Sequence, residues 1–174
     1  MLGMVVQFSL NRLLMFVVLV AIGLNVFLFF ARDSKLKRLL NACRAGDTTS
    51  IQRLIRSGQD PTQQDVWNTS PLMMAASYGK TEAIEVLLEY GVSVDERSRF
   101  QKTPLMHAAE NGQLPAVELL IRKNACVEAK DSNGSTAIKL AGADKHFDVV
   151  NLLQNAIQRK NKDPQGIGGT TGIR

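Results

Sequence analysis

Two patterns of apolar residues divide the chain. From Leu13 to Ala31, nineteen residues run without a charge, and Asn25 is the one polar side chain among them. As a helix this run is about 28 Å long, close to the thickness of a bilayer's hydrocarbon core. From residue 36 onward the pattern changes to short apolar bursts at helical spacing, separated by turns rich in Gly, Asn, Asp and Ser. These bursts recur. Thr103-Pro104-Leu105-Met106-His107-Ala108-Ala109 is preceded 33 residues earlier by Ser70-Pro71-Leu72-Met73-Met74-Ala75-Ala76 and followed 33 later by Thr136-Ala137-Ile138-Lys139-Leu140-Ala141-Gly142. A fixed period of this size marks a solenoid of stacked supersecondary units.

The register extends beyond that block. Gly46, Gly79 and Gly112 are in phase, as are Ile51, Ile84, Val117 and Val150, and Leu54, Leu87, Leu120 and Leu153. The most divergent, first copy still keeps Leu39, Ala42 and Gly58 in their columns. Local signals agree with a pair of helices per copy. Ser70 is a capping residue, and Pro71 at the next position has a preset ring angle and no donor to leave unpaired. Gly79 ends the first helix of its copy and Gly91 the second, where a left-handed residue is wanted. Asn124 replaces Gly91 one period on, and Pro115 falls at a helix start. Ala75 and Ala76 are small enough for neighbouring helices to approach closely. In the last copy Ala137 replaces the proline and Lys145 the glycine, so it is expected to be the least stable unit.

This pattern resembles the ankyrin repeat family. Asp131-Ser132-Asn133-Gly134-Ser135-Thr136 looks like its turn, Thr103-Pro104-Leu105 with Ala108-Ala109 like its first helix, and Val117-Glu118-Leu119-Leu120 like its second. The resemblance covers residues 36–157, in repeats of about 36–64, 65–97, 98–130 and 131–157. It implies an all-α solenoid of helix–turn–helix units joined by projecting hairpins, with a binding rather than a catalytic role. The chain departs from the family where a histidine usually follows the Pro-Leu pair: that column reads Met73, Met106 and Lys139. His107 lies one position later and is expected to face outward or pack in part.

The apolar run reads as one transmembrane helix, 13–31, after a short segment 1–12. A soluble helix apolar on every face has no partner here, because a stack of repeats has no cavity to hold it. A cleaved signal peptide is the rival; it wants a shorter core and small residues before the cut, whereas Phe29 lies two positions before Ala31. Arg12 stands alone on one side, while Arg32, Lys35, Lys37 and Arg38 crowd the other, which places the repeats in the cytoplasm. Those four cations are then set to meet anionic headgroups, at about 1 kcal/mol each. Asn25 is a candidate for hydrogen bonding to another helix in the bilayer. Residues 158–174, ending in a glycine-rich stretch, read as a disordered tail.

Charge changes the picture only locally. Residues 1–64 carry eight Lys/Arg against three acids, a net +5, whereas 65–174 carry thirteen of each. The excess flanks the apolar run, so no nucleic-acid partner is expected. Cys43 occupies the paired-alanine column and Cys126 follows a second helix two repeats later, roughly 20 Å away at the usual helix-packing distance. A disulfide needs Cα atoms within about 7 Å, so none links them. Two histidines, His107 and His146, fall on different repeats in different columns, too few for a metal site. No nucleophile, base and orienting acid assemble, and no enzyme activity, cofactor or small-molecule substrate is expected.

What remains is a recognition surface for another protein. The hairpin tips are Val66-Trp67, Arg99-Phe100 and Ser132-Asn133. Trp67 is the chain's single tryptophan and Phe100 its 33-residue counterpart. With Arg97, Arg99 and Lys102 as a rim, they look like the centre of an interface. Ser77, Tyr78, Glu110 and Asn111, at the ends of the first helices, extend it. The expected function is a membrane-anchored adaptor or scaffold. Two alternatives stay open: an exported (periplasmic or secreted) binding protein, and a small accessory subunit of a membrane complex.

Overall fold

The structure, a computed structural model, describes residues 35–162. The span at 13–31, its flanking Arg32, and residues 163–174 of the tail lie outside the described residues. Among those described, no helix is long and apolar enough to cross a membrane, and no strand forms. Eight helical stretches follow one another: α1 (35–45), α2 (Thr48–Arg56), α3 (Pro71–Ser77), α4 (Thr81–Glu89), α5 (Pro104–Glu110), α6 (Leu114–Arg122), α7 (Ala137–Ala143) and α8 (Phe147–Lys162). Helices α3, α5 and α7 form one layer, with α5 packed between the other two, and the even-numbered ones form the other, α2 on α4 on α6 on α8.

The short helices begin where side chains satisfy their free N–H groups. The Ser70 hydroxyl accepts from Met73 N at 3.1 Å and Thr103 from Met106 N at 3.3 Å, each with proline at the next position. Asp47 does the same for α2, accepting from Ser50 N at 3.0 Å and from the Thr49 hydroxyl at 2.6 Å. Seven-residue helices such as α3 and α5 are too short to persist alone, so packing has to stabilise them. Ala75, Ala76, Ala108, Ala109 and Ala141 have no exposed surface and bring the inner layer close together. Leu39, Leu72 and Leu105, Ile51, Ile84 and Val117, and Leu87, Leu120 and Leu153 are likewise sealed, so each periodic column is a rank of the core.

The last repeat breaks these ranks on one side. Lys139 is exposed where Met73 and Met106 are buried, and Gln158 where Val92 and Ala125 are buried. Polar residues in what would be stacking positions are what a terminal repeat needs. Helix α8 also continues to Lys162, so residues 158–162, expected in the tail segment, are helical. Ala156 and Ile157 still pack on the core, Lys160 Nζ reaches Glu128 at 3.3 Å, and Arg159, Lys160 and Lys162 sit in the last turn, where cations suit the helix dipole.

One backbone position recurs in all four repeats. Gly46, Gly79, Gly112 and Lys145 follow the inner helices with φ of +79°, +65°, +65° and +63°. In each internal repeat, a side chain from the following repeat covers the glycine. A Cβ on Gly79 meets the Gln113 amide oxygen, and one on Gly112 meets His146 Nδ1 at 2.5 Å. Lys145 is exposed, so only the left-handed backbone penalises its side chain. Replacing Lys145→Gly should therefore stabilise the fold by about 1 kcal/mol. Gly112→Ala should cost more than that, about 2 kcal/mol, because the His146 ring must also move. Denaturant midpoints at constant slope measure both; equal and opposite shifts would show that the covering side chain is irrelevant.

Candidate interaction surface

The hairpins between repeats are built by a recurring turn. Asn68, Gln101 and Gly134, one period apart, take φ of +56°, +60° and +74°. Each donates its N–H three residues back, to the carbonyls of Asp65, Ser98 and Asp131 at 2.9–3.0 Å. The Asp65 carboxylate accepts from Trp67 N and Thr69 N, both at 2.8 Å, and Asp131 accepts from Asn133 N and Ser135 N at the same distance. In the middle hairpin Ser98 stands in for the aspartate, its hydroxyl accepting from Lys102 N at 3.1 Å. Successive tips are joined by main chain: Arg99 N donates to Trp67 O at 3.2 Å, and Ser132 N to Phe100 O at 2.9 Å.

This frame places the predicted aromatics on adjacent tips and turned outward. Trp67 is 57% exposed and Phe100 54%, beside Val66 at 79%. The Arg99 guanidinium lies over the Trp67 ring, 6.0 Å from its centroid. Tyr78 and Asn111 are the exposed C-terminal caps of α3 and α5. The Asn111 amide donates to His107 O at 2.8 Å. Lys102 is not a loose rim cation: its ammonium binds both oxygens of Glu110 at 2.7 Å, tying hairpin to inner helix. Thr69 and Ser77 are the counterparts of this pair one repeat earlier, so the tips and the inner-helix ends share one face.

Arg97, expected on the rim, is a strut instead. Its guanidinium donates to Gln101 O and Lys130 O, both at 2.8 Å. One period earlier, the Gln64 amide donates to Arg97 O at 3.3 Å. Arg44, not among the residues expected on this surface, belongs to it: it lies over the Tyr78 ring at 4.9 Å. The available signal was that Arg44 shares a column with Ser77 and Glu110. His107 is half-buried, with its Nε2 buried and unbonded. Burial pushes its pKa below the ordinary value, Lys102 adds to the fall and Glu110 opposes it.

Cys43 is fully buried and burial pushes its thiol up to about 12, whereas Cys126 is exposed; both are free. Among the described residues no group of three or more His, Cys, Asp or Glu is placed to hold a metal. A family model for ankyrin repeats (3 copies) matches residues 39–131 and 93–164. No curated protein matches the chain.

Glu96 connects the face to the core. It accepts a hydrogen bond from the Ser70 hydroxyl, the group that caps α3. Burial raises its carboxyl from 4.5 to about 7, with the Ser70 contact opposing. The folded chain therefore holds this proton more tightly than the unfolded one. The resulting stability is complete below about pH 4.5 and is lost as pH rises to about 7. With solvent screening of a partly exposed group allowed for, the loss is about 1–2 kcal/mol. Denaturation from pH 4.5 to 8 should show Glu96→Gln abolishing this slope; an unchanged slope would rule Glu96 out as its source.

Proposed function

Because the chain belongs to the ankyrin repeat family, we propose that it is a non-catalytic adaptor, tethered to a membrane through residues 13–31, that presents its repeats to a cytosolic partner protein. The family is in general a non-catalytic interaction module, and its repeats bind other proteins. The observation that carries the reading here is the pair Trp67 and Phe100, each more than half exposed on hairpins that are themselves rigidly joined. Large aromatics on a preorganised backbone lose little entropy on binding and are the residue types that dominate interfaces. Recruitment is the mechanism: the tether raises the partner's local concentration at the bilayer. The uncharged run 13–31 and the cations Arg32, Lys35, Lys37 and Arg38 support the tether and the cytoplasmic placement.

Trp67→Ala and Phe100→Ala should each weaken partner capture by the full chain by about thirtyfold, as expected of anchor residues. Melting temperature should fall by less than about 2 °C. Undiminished capture, or a large thermal loss, would sink the assignment. The tether has a separate test. Cys126 is exposed and Cys43 buried, so an impermeant maleimide reads out one site. Cytoplasmic repeats leave the full-length, membrane-bound chain unlabelled in sealed cells and labelled after permeabilisation. Labelling in sealed cells would reverse the orientation, and a shortened, released chain would make it an exported protein.

A further inference from the structure

The recognition face carries two guanidinium groups stacked on its own rings, Arg44 over Tyr78 and Arg99 over Trp67. Both arginines are exposed, and neither forms an ion pair among the described residues. The carboxylates nearby are already committed. Glu110 is taken by Lys102, Glu96 by the Ser70 hydroxyl, and Asp65 and Asp131 by main-chain N–H groups of their own turns. Asp144, capping α7, is exposed, but it lies on the last repeat. Arg44 and Arg99 therefore present positive charge without an ion-pair partner among the described residues, interleaved with exposed aromatic surface.

A guanidinium that stacks on a ring keeps its planar N–H edge for an in-plane, two-pronged bond to a carboxylate. Its ring and the neighbouring Phe100, Tyr78 and Val66 meanwhile offer apolar contact. Resting on the proposal that this face is the recognition surface, we propose that it takes an acidic segment of a partner protein whose carboxylates alternate with large apolar side chains. The carboxylates engage Arg44 and Arg99, and the apolar side chains lie against Trp67, Phe100 and Tyr78. A peptide fits better than an anionic lipid surface because the cations are interspersed with rings and helix ends rather than clustered.

Trp67 is the only tryptophan in the chain, so its emission reports on this face alone. A random twelve-residue display library would be selected against the full chain in uncharged detergent, and the enriched peptides titrated against Trp67 emission. Enriched peptides should be net acidic and carry Leu, Ile or Phe. Arg44→Gln and Arg99→Gln should each weaken them about tenfold, and raising NaCl from about 50 to 300 mM should weaken them by a similar factor. Enrichment of neutral or basic peptides, or affinity indifferent to both arginine changes, overturns the acidic chemistry. If such peptides, followed by the anisotropy of a fluorescein label on the peptide, still lose affinity in Trp67→Ala and Phe100→Ala, the recognition face itself stands. Peptides that bind those two variants as well as the native chain overturn the face. A Trp67 response to anionic phosphatidylglycerol vesicles without any peptide response overturns the partner class.

Discussion

The close approach of the inner helices underlies the rest of the structure. With Ala75-Ala76, Ala108-Ala109 and Ala141 fully buried between them, α3, α5 and α7 sit near enough for main-chain contacts to form elsewhere in the stack. The hairpins show the consequence. Arg99 N reaches Trp67 O and Ser132 N reaches Phe100 O, bonds that larger side chains in the alanine columns would pull apart. Each repeat is too small to bury its own apolar stripe, so its stability is a matter of what its neighbours cover. That holds down to single positions, as the side chains of Gln113 and His146 lying over Gly79 and Gly112 show.

A stack of this kind restricts its backbone more than its surface. Three columns hold left-handed residues: Gly46 to Lys145, Gly58 to Asn124, and Asn68 to Gly134. Glycine is cheapest in all of them, yet Lys145, Asn124, Asn68 and Gln101 occupy some. Gln101 and Lys145 are the least suited, and Gln101 directly follows Phe100, so the middle tip holds its shape against an unfavourable local preference. Its hydrogen bonds account for this: Arg97 donates to Gln101 O, and Lys102 N donates to Ser98.

Much of this was legible in the sequence because a period converts one dimension into a stack. The ranks at Leu39, Leu72 and Leu105, the caps at Ser70 and Thr103, and the left-handed Gly79, Gly91 and Asn124 follow from spacing and residue chemistry alone. Other features depend on which side chains cross from one repeat to the next, and a period does not encode those. Arg44 over Tyr78 and Arg97 on Lys130 are contacts of this kind. The end of α8 was missed for a related reason. Arg159, Lys160 and Lys162 look like a solvated tail in sequence, but Ile157 beneath them packs on the core and carries the helix onward. Position alone does not guarantee a cap: Thr136 matches Ser70 and Thr103 in register, yet it makes no capping side-chain bond.

Arg97 and Arg99 show why charge on such a face has to be sorted by partner rather than counted. They are two residues apart on one hairpin and carry the same group. Arg97, at the end of the second repeat, donates to two carbonyls of the third, so a ligand that captured it would first have to break the joint between those repeats. Arg99 rests on a ring and leaves its polar edge toward solvent, so an incoming anion displaces only water. Lys102 belongs with Arg97, since it holds Glu110 at 2.7 Å. Of the three cations grouped as one rim from sequence, a single one is therefore free to bind without loosening the scaffold, and its counterpart in that role is Arg44, two repeats away. On the proposed reading, such a surface discriminates partners by where their negative charge falls, while the hairpins keep the rigidity that the proposed recognition by Trp67 and Phe100 requires.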